Sequence, residues 1–413
     1  MTDNVDVLIK NASEVVTLQG SKVPRRKEEM NELAVIKNAS IAIKDGKIID
    51  VGKCNGYSAK RVIDASGKTI IPGFVDSHTH LVFSGSREFE LELKLKGFSY
   101  TQIKEMGGGI GYTVKRTREA SVEELMKEAL KRLDTMLAYG TTTCEAKSGY
   151  GLNTETEIKI LEAYNGLNKK HPVDIVPTFL GAHAVPEEYK GREEEYIDLV
   201  VNEMIPVVAN KNLARFCDVF CEKGFFTREQ SKRILLEGKK HGLIPKVHAD
   251  ELTNCGGAQL ASEVEAVSAD HLLEVSEEGI SEMAKKGVIA VLLPATVFSL
   301  MKKDYAPARE LIDADVPVAL ATDLNPNCYT ENMQFVIQLA CFYMKMTPAE
   351  ALTASTINAA HAIGEADRVG SLEVGKQADV LILDCPSHKF IPYHFGVNLV
   401  KMVVKKGVVI HST

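Results

Sequence analysis

The eight cysteines of this 413-residue chain form no Cys-x-x-Cys pair. A chain of this length does not depend on disulfides for stability, so reduced thiols are expected. Cys217 and Cys221 fall in Phe216-Cys217-Asp218-Val219-Phe220-Cys221, which reads as a buried strand. No apolar run reaches the ~20 residues of a membrane-spanning helix. Met1-Thr2-Asp3-Asn4-Val5-Asp6 offers neither the basic region nor the apolar stretch of a secretory leader. These absences argue against a membrane role and point to the cytoplasm. Positive charge is not in excess either: the formal net charge is −7 and the pI is near 5.9. The electrostatic footprint of a nucleic-acid binder is therefore missing, and a small-molecule partner is expected. Aromatic residues are only 6%, with 45% hydrophobic and 25% charged residues, which is ordinary for a soluble globular chain and excludes extensive disorder. Solenoid repeats and low-complexity tracts are absent as well.

What is present is a change of pattern near residue 71. Before it lie short β-type runs, Val5 to Val16 and Leu33 to Val51, the second broken by the hairpin signal Asp45-Gly46. The polar stretch Pro24-Arg25-Arg26-Lys27-Glu28-Glu29 between them reads as a solvated loop without function. After residue 71, apolar strands alternate with longer helical stretches, the signature of a parallel sheet. Strand ends are expected at Asp76-Ser77-His78, Thr143-Cys144-Glu145, Leu180-Gly181-Ala182-His183, Val219-Phe220-Cys221, Lys246-Val247-His248, Ala269-Asp270-His271, Leu292-Leu293-Pro294 and Ala321-Thr322-Asp323. Eight βα units imply a (β/α)8 TIM-like barrel, whose active site lies at the carboxyl ends of its strands. A helical stretch, Ala349 to Ile363, precedes new strand signals at Ala378 to Leu383 and Leu399 to Ile410. The expected organisation is a barrel over residues 71–370 and a small β-sandwich built from residues 1–70 and 371–413.

Five of those eight strand ends offer a His or an Asp. In Asp76-Ser77-His78-Thr79-His80 the two imidazoles are two residues apart, so extended backbone sends both to one face. With His248 and Asp323 they make a donor set of three imidazoles and a carboxylate, suited to zinc or ferrous iron. Water bound to such a cation has its pKa lowered to roughly 7 and becomes a usable nucleophile. Glu251, three residues beyond His248, is the first candidate for general acid and base. Asp323 is a second candidate for proton transfer, and His271 is suited to hydrogen-bond a developing oxyanion. Arg87, just beyond the His pair, offers a planar fork for a substrate carboxylate.

Pro72-Gly73-Phe74-Val75-Asp76-Ser77-His78-Thr79-His80, the later His and Asp, and Gly375-Lys376-Gln377-Ala378-Asp379 together resemble the amidohydrolase superfamily over nearly the whole chain. Four further segments are similar to its imidazolonepropionase family: His80-Leu81-Val82-Phe83 with Arg87, Gly107-Gly108-Gly109-Ile110, Lys147-Ser148-Gly149-Tyr150-Gly151-Leu152, and Thr178-Phe179-Leu180-Gly181-Ala182-His183. The resemblance implies one Zn2+ or Fe2+/Fe3+ per subunit and addition of water to the ring carbonyl of 4-imidazolone-5-propanoate, with release of N-formimidoyl-L-glutamate. It also implies a homodimer and assigns Tyr150 and His183 to the ligand, with Tyr100 a weaker lid or packing candidate. Lys147 follows the second strand rather than the fourth, which favours one metal over the two of binuclear relatives. The family pattern continues Asn-Pro-Gly-Ser/Thr after the metal-binding Asp, whereas this chain has Asn325-Pro326-Asn327-Cys328. Asn tolerates left-handed φ, so Asn327 is expected to replace the Gly there and present its N–H to the ligand, with Asn325 and Cys328 lining the same wall. The glycine run Gly107 to Gly111 lacks a following Gly-Lys-Ser/Thr and is expected as a flexible loop at the pocket rim. Two competing readings are a deaminase of a small nitrogen heterocycle, which lacks a use for Arg87, and a metal-free assembly protein, which lacks a use for the complete donor set.

Overall fold

The computed structural model describes residues 3–98 and 100–412, without the side chains of Asp3, Tyr100, Thr101 and Lys104. Tyr100 as a site residue therefore lies outside the described part. The chain opens with strands β1 (Asp3–Val16), β2 (Val35–Lys44), β3 (Lys47–Gly52), β4 (Tyr57–Asp64) and β5 (Thr69–Pro72). The Asp45-Gly46 signal is a tight turn with φ of 50° and 73°, the left-handed pair that a two-residue hairpin demands. A register shift between Ile9 and Ala12 places Asn11 at φ 63° in a bulge of β1. Near the other end of the chain, β14 (Val380–Leu383), β15 (Val400–Lys405) and β16 (Val408–Ser412) join the same sheet, with β14 antiparallel to β5. The resulting order is β16-β15-β14-β5-β1-β2-β3, with β4 pairing β1. Alternating residues such as Val7, Ile9, Ile41, Ile43, Val380 and Ile382 fill a core of its own.

Between these ends run the eight parallel barrel strands β6 (Phe74–Asp76), β7 (Thr141–Lys147), β8 (Asp174–Ala182), β9 (Phe216–Cys221), β10 (Ile244–Ala249), β11 (Ser268–His271), β12 (Ile289–Leu292) and β13 (Val318–Leu320), hydrogen-bonded in chain order. They are buried on nearly all positions of both faces, which explains the apolar character of strands such as β12 and β13, while β7 and β11 bury polar side chains. The ring closes between its first and last members at the carboxyl end: Asp323 N donates to His78 O (3.1 Å) and His80 N to Leu324 O (2.8 Å). Buried Asp76 adds a side-chain latch, accepting from Thr322 N (3.0 Å) and Thr322 Oγ1 (2.6 Å). Closure of the barrel and assembly of the candidate site are thus one set of contacts. No helix among the described residues is long and apolar enough to cross a membrane.

One strand is unexpected, and one local expectation changes. β4, with its exposed and polar side chains, carries no clear apolar alternation, yet it pairs in parallel with β1 over Asp3 to Lys10. The stretch at 24–29 is not all solvated: Arg25 is buried, donating to the carbonyls of Leu18 and Gln19 (2.9 Å each) while its N–H meets Asn358 Oδ1 at 2.8 Å. This arginine pins the N-terminal segment to the last barrel helices.

Candidate active site

The His pair lies just past β6, in an extended segment bridged in parallel to Leu324 at Thr79. Thr79 turns away to donate to Glu145 O (2.7 Å), while His78 and His80 face the barrel axis. His248 comes from within β10, His271 ends β11, and Asp323 follows β13 by three residues with φ 53°. His78 Nε2 and His80 Nε2 lie 3.5 and 3.7 Å from Asp323 Oδ1. Two groups bring one donor atom each within 4.8 Å of one another: His78, His80 and Asp323, and His78, His248 and His271. His271, expected as a hydrogen-bond donor, therefore also stands within reach of the ligand cluster.

The chemistry of these atoms fits a cation. Among the described residues, His78 Nε2, His248 Nε2 and Asp323 Oδ1 are buried with no hydrogen-bond partner, an arrangement that is costly unless something else satisfies them. Burial and then the Lys147 charge hold His78 well below the ordinary imidazole range, and burial and then His183 do the same for His80. Both are accordingly neutral donors. Burial opposes protonation of His248 too, but the adjacent Asp218 carboxylate overcomes it and raises its pKa. Asp323 is pushed up to about 6 by burial, with Oδ2 accepting from Thr296 Oγ1 at 2.5 Å.

Above this cluster opens a cavity of about 270 Å³ that reaches Arg87, Tyr150, His183, Glu251, Asn325 and Asn327. Burial and the charge of Asp323 push the Glu251 carboxyl up to about 7, and its Oε2 is 3.7 Å from His271 Nε2. The loop carrying Glu251 is tied down on both sides: Asp250 accepts from Gly257 N (2.9 Å) and Ala258 N (3.0 Å), and Glu222 from Leu252 N (2.8 Å). His183 Nδ1 faces Gly149 O at 2.9 Å, which makes Nδ1 the donor and leaves Nε2 as an acceptor. Burial and then His248 lower its pKa to about 3. Gly149 is required for this approach, since its φ is 106° and a Cβ would stand 2.9 Å from His183 Nδ1. Glu157, which nothing in the sequence singled out, organises the Tyr150 loop by accepting from Gly149 N (3.0 Å), Gly151 N (2.7 Å) and Leu152 N (2.8 Å).

Two expectations about the Asn327-Cys328 turn are corrected, and so is the reading of the glycine run as wholly loop, while Arg87 keeps its expected place at the cavity. Asn327 does not adopt positive φ, and its N–H donates to Asn325 Oδ1 (2.7 Å) instead of pointing to a ligand. An Asn side chain folded back on the turn supplies the geometry that a glycine would otherwise supply. Cys328 does not line the cavity: it is buried, its N–H also meets Asn325 Oδ1 (3.0 Å), and its Sγ lies 3.6 Å from Thr322 O. Arg87 reaches the cavity already engaged, its Nε and Nη2 each 2.8 Å from the buried carboxylate of Glu90. Glu90 also accepts from Gly109 N (2.7 Å), so the glycine run joins the helices Tyr100–Glu105 and Gly109–Glu119 at an anchored junction, with Ile110 on the cavity wall.

The amidohydrolase family model matches residues 69–410. An imidazolonepropionase from Alkaliphilus metalliredigens is 53% identical over 412 residues, covering 98% of this chain and 97% of that protein. The chain belongs to the imidazolonepropionase family of amidohydrolases. A second member, from Geobacillus kaustophilus, is 53% identical over 414 residues, covering 98% of this chain and 97% of its own length. Among solved structures, a zinc-bound adenosine deaminase from Xanthomonas campestris superposes with a TM-score of 0.72 at 19% identity, covering 99% of this chain and 93% of that one. A guanine deaminase from E. coli does so with a TM-score of 0.72 at 14% identity, covering 98% and 99%. At such identities the likeness concerns the fold, which imidazolonepropionases share with these deaminases.

Proposed function

We propose that the protein opens the ring of 4-imidazolone-5-propanoate by hydrolysing its cyclic amide C–N bond, giving N-formimidoyl-L-glutamate in histidine degradation. The observation that carries this reading is the cavity itself, with the His/Asp cluster at its floor and the Arg87 guanidinium on its wall. His78, His80, His248 and Asp323 would hold one zinc or iron ion, since imidazole and carboxylate ligands suit either. When bound, such a cation lowers the pKa of its water to roughly 7 and polarises the ring carbonyl.

The remaining work falls to the chain's own groups. Glu251, with its carboxyl near 7, accepts a proton from the attacking water and passes it to the departing ring nitrogen, while the water oxygen ends in the new carboxylate. His271, beside Glu251, stabilises the oxyanion that develops on the carbonyl. Thr296 fixes the rotamer of Asp323, which shares the proton traffic. Arg87 takes the propanoate, His183 Nε2 accepts from a ring N–H, and Tyr150 closes the same wall. Asn325 contributes through the turn it holds, its Nδ2 donating to Asp323 O at 2.8 Å.

Ultraviolet monitoring of freshly prepared imidazolone propanoate with metal-loaded protein tests the reading: absorbance is lost at a rate proportional to enzyme. Absence of turnover, with ammonia released from purine or pyrimidine bases instead, would establish the deaminase alternative. Elemental analysis separates zinc from iron. The proposed homodimer is read by sedimentation, and the cytoplasmic location by cell fractionation.

A further inference from the structure

Lys147 ends β7 wholly buried, and no step above uses it. Its Nζ lies 2.7 Å from Glu145 Oε1, 2.8 Å from Asp218 Oδ2 and 3.5 Å from Asp270 Oδ2. The two aspartates stand behind the candidate ligands: Asp270 Oδ2 is hydrogen-bonded to His78 Nδ1 at 2.6 Å, and Asp218 approaches His248 with Oδ2 3.0 Å from Nδ1, short of hydrogen-bond alignment, while its Oδ1 accepts from His248 N at 3.2 Å. Glu145 is held in turn by Thr178 Oγ1 (2.5 Å) and Thr79 N (3.3 Å). One ammonium therefore joins two carboxylates, each serving a histidine from a different part of the barrel.

The physical need for that ammonium follows from charge. Three carboxylates buried within reach of one another repel strongly in a medium of low polarity, and nothing apolar offsets that repulsion. A lysine supplies a compact cation with three donors, able to bind them all at once. An imidazole whose Nδ1–H is held by a carboxylate is fixed in tautomer and ring angle, with its Nε2 lone pair aimed at the metal. Without the cation the aspartates would separate, and the rings they hold would lose their common aim.

We propose that Lys147 is a positioning residue that holds Asp218 and Asp270 against His248 and His78, and thereby sets the geometry and affinity of the metal site. This rests on the reading of His78 and His248 as metal ligands. It is independent of which ring the enzyme opens.

The test uses full-length protein reconstituted with Co2+, whose visible absorption reports ligand geometry. Lys147→Met is expected to change that absorption and to weaken Co2+ binding about 10- to 100-fold in chelator competition, the range typical of lost outer-shell partners. A merely structural lysine would lower the melting temperature of the metal-free protein while leaving the spectrum and affinity of the folded variant unchanged. That outcome overturns the proposal. If Lys147→Met does not fold, Asp218→Asn and Asp270→Asn, which keep side-chain volume, carry the test. Each is expected to weaken Co2+ binding, and parental spectra and affinities in both would leave Lys147 nothing to act through and overturn the proposal equally. His78→Ala and His248→Ala serve as controls: unchanged metal binding in those variants would refute the ligand assignment itself.

Discussion

Arg87 and Glu90 offer the sharpest separation of recognition from stability. The pair is buried, with Arg87 5% and Glu90 1% exposed, and it is bidentate at 2.8 Å for both contacts. Arg87→Met leaves a carboxylate buried without its cation, a change that typically costs about 3–5 kcal/mol of stability. The same variant should also bind the propanoate more weakly. Losing a charge partner to a substrate carboxylate costs about 2–5 kcal/mol, and because Glu90 shares the guanidinium the lower end applies, about 2 kcal/mol or roughly thirtyfold in affinity. The double variant Arg87→Met, Glu90→Gln removes both charges while keeping an acceptor for Gly109 N, and should recover much of the stability while keeping the full binding defect. Urea denaturation of metal-loaded protein reads the first quantity, and KM with metal content held constant reads the second. If the double variant regains the parental KM, the single variant's defect came from the stranded glutamate, and Arg87 does not hold the substrate. A stable Arg87→Met single variant would refute the buried-pair argument instead.

Other expectations follow from the same geometry. His78→Ala, His248→Ala and Asp323→Ala should each lose bound metal, by elemental analysis, and all turnover, whereas Glu251→Gln should keep the metal and lose at least 100-fold in rate, about the least a general acid/base contributes. Asn327→Gly and Asn327→Val should have similar KM values, because Asn327 is not left-handed; a defect confined to Val would refute this. Burial tends to raise the Glu14 pKa, but His388 and Lys37 outweigh it and bring it to about 2, below the ordinary 4.5, so its contribution is present above pH 4.5 and lost as pH falls toward 2. The stability gap between parent and Glu14→Gln, on the order of 3 kcal/mol near neutrality, should therefore close between pH 4.5 and 2 in denaturation curves, and a gap independent of pH would exclude this linkage.

Much of the fold was legible because most barrel strands, such as β9, β10, β12 and β13, are short and largely apolar and alternate with longer helical stretches, the pattern a buried parallel sheet needs. Asp45-Gly46 marked its hairpin for an equally local reason. β4 escaped notice because it is an exposed strand, Tyr57 to Asp64, stabilised by pairing with β1 and not by an apolar face of its own. The junction at Gly107 to Gly111 depends on Glu90, whose role is invisible until the helices are placed.

The candidate site divides along the same line. The residues proposed to meet a ligand directly stand at or just beyond strand ends, where position alone exposes them: His78, His80, His248, His271 and Asp323. The groups that hold these residues in place carry no such mark. Asp218 is a single acidic residue inside an apolar strand, Asp270 stands beside His271 in the short polar strand β11, and Glu157 sits in a helix of ordinary composition, yet all three are buried. A carboxylate inside a strand is expensive unless it meets partners, and its partners come from other strands: Lys147 and His248 for Asp218, His78 for Asp270, three backbone N–H groups for Glu157. The available signal is the cost itself. A lone charge at a core position of an otherwise apolar strand marks a second layer of the site, and at Asn327 the same reasoning works in reverse. There a residue chosen for its tolerance of left-handed φ proves unnecessary in that role, because Asn325 two positions earlier already satisfies the turn with its side chain.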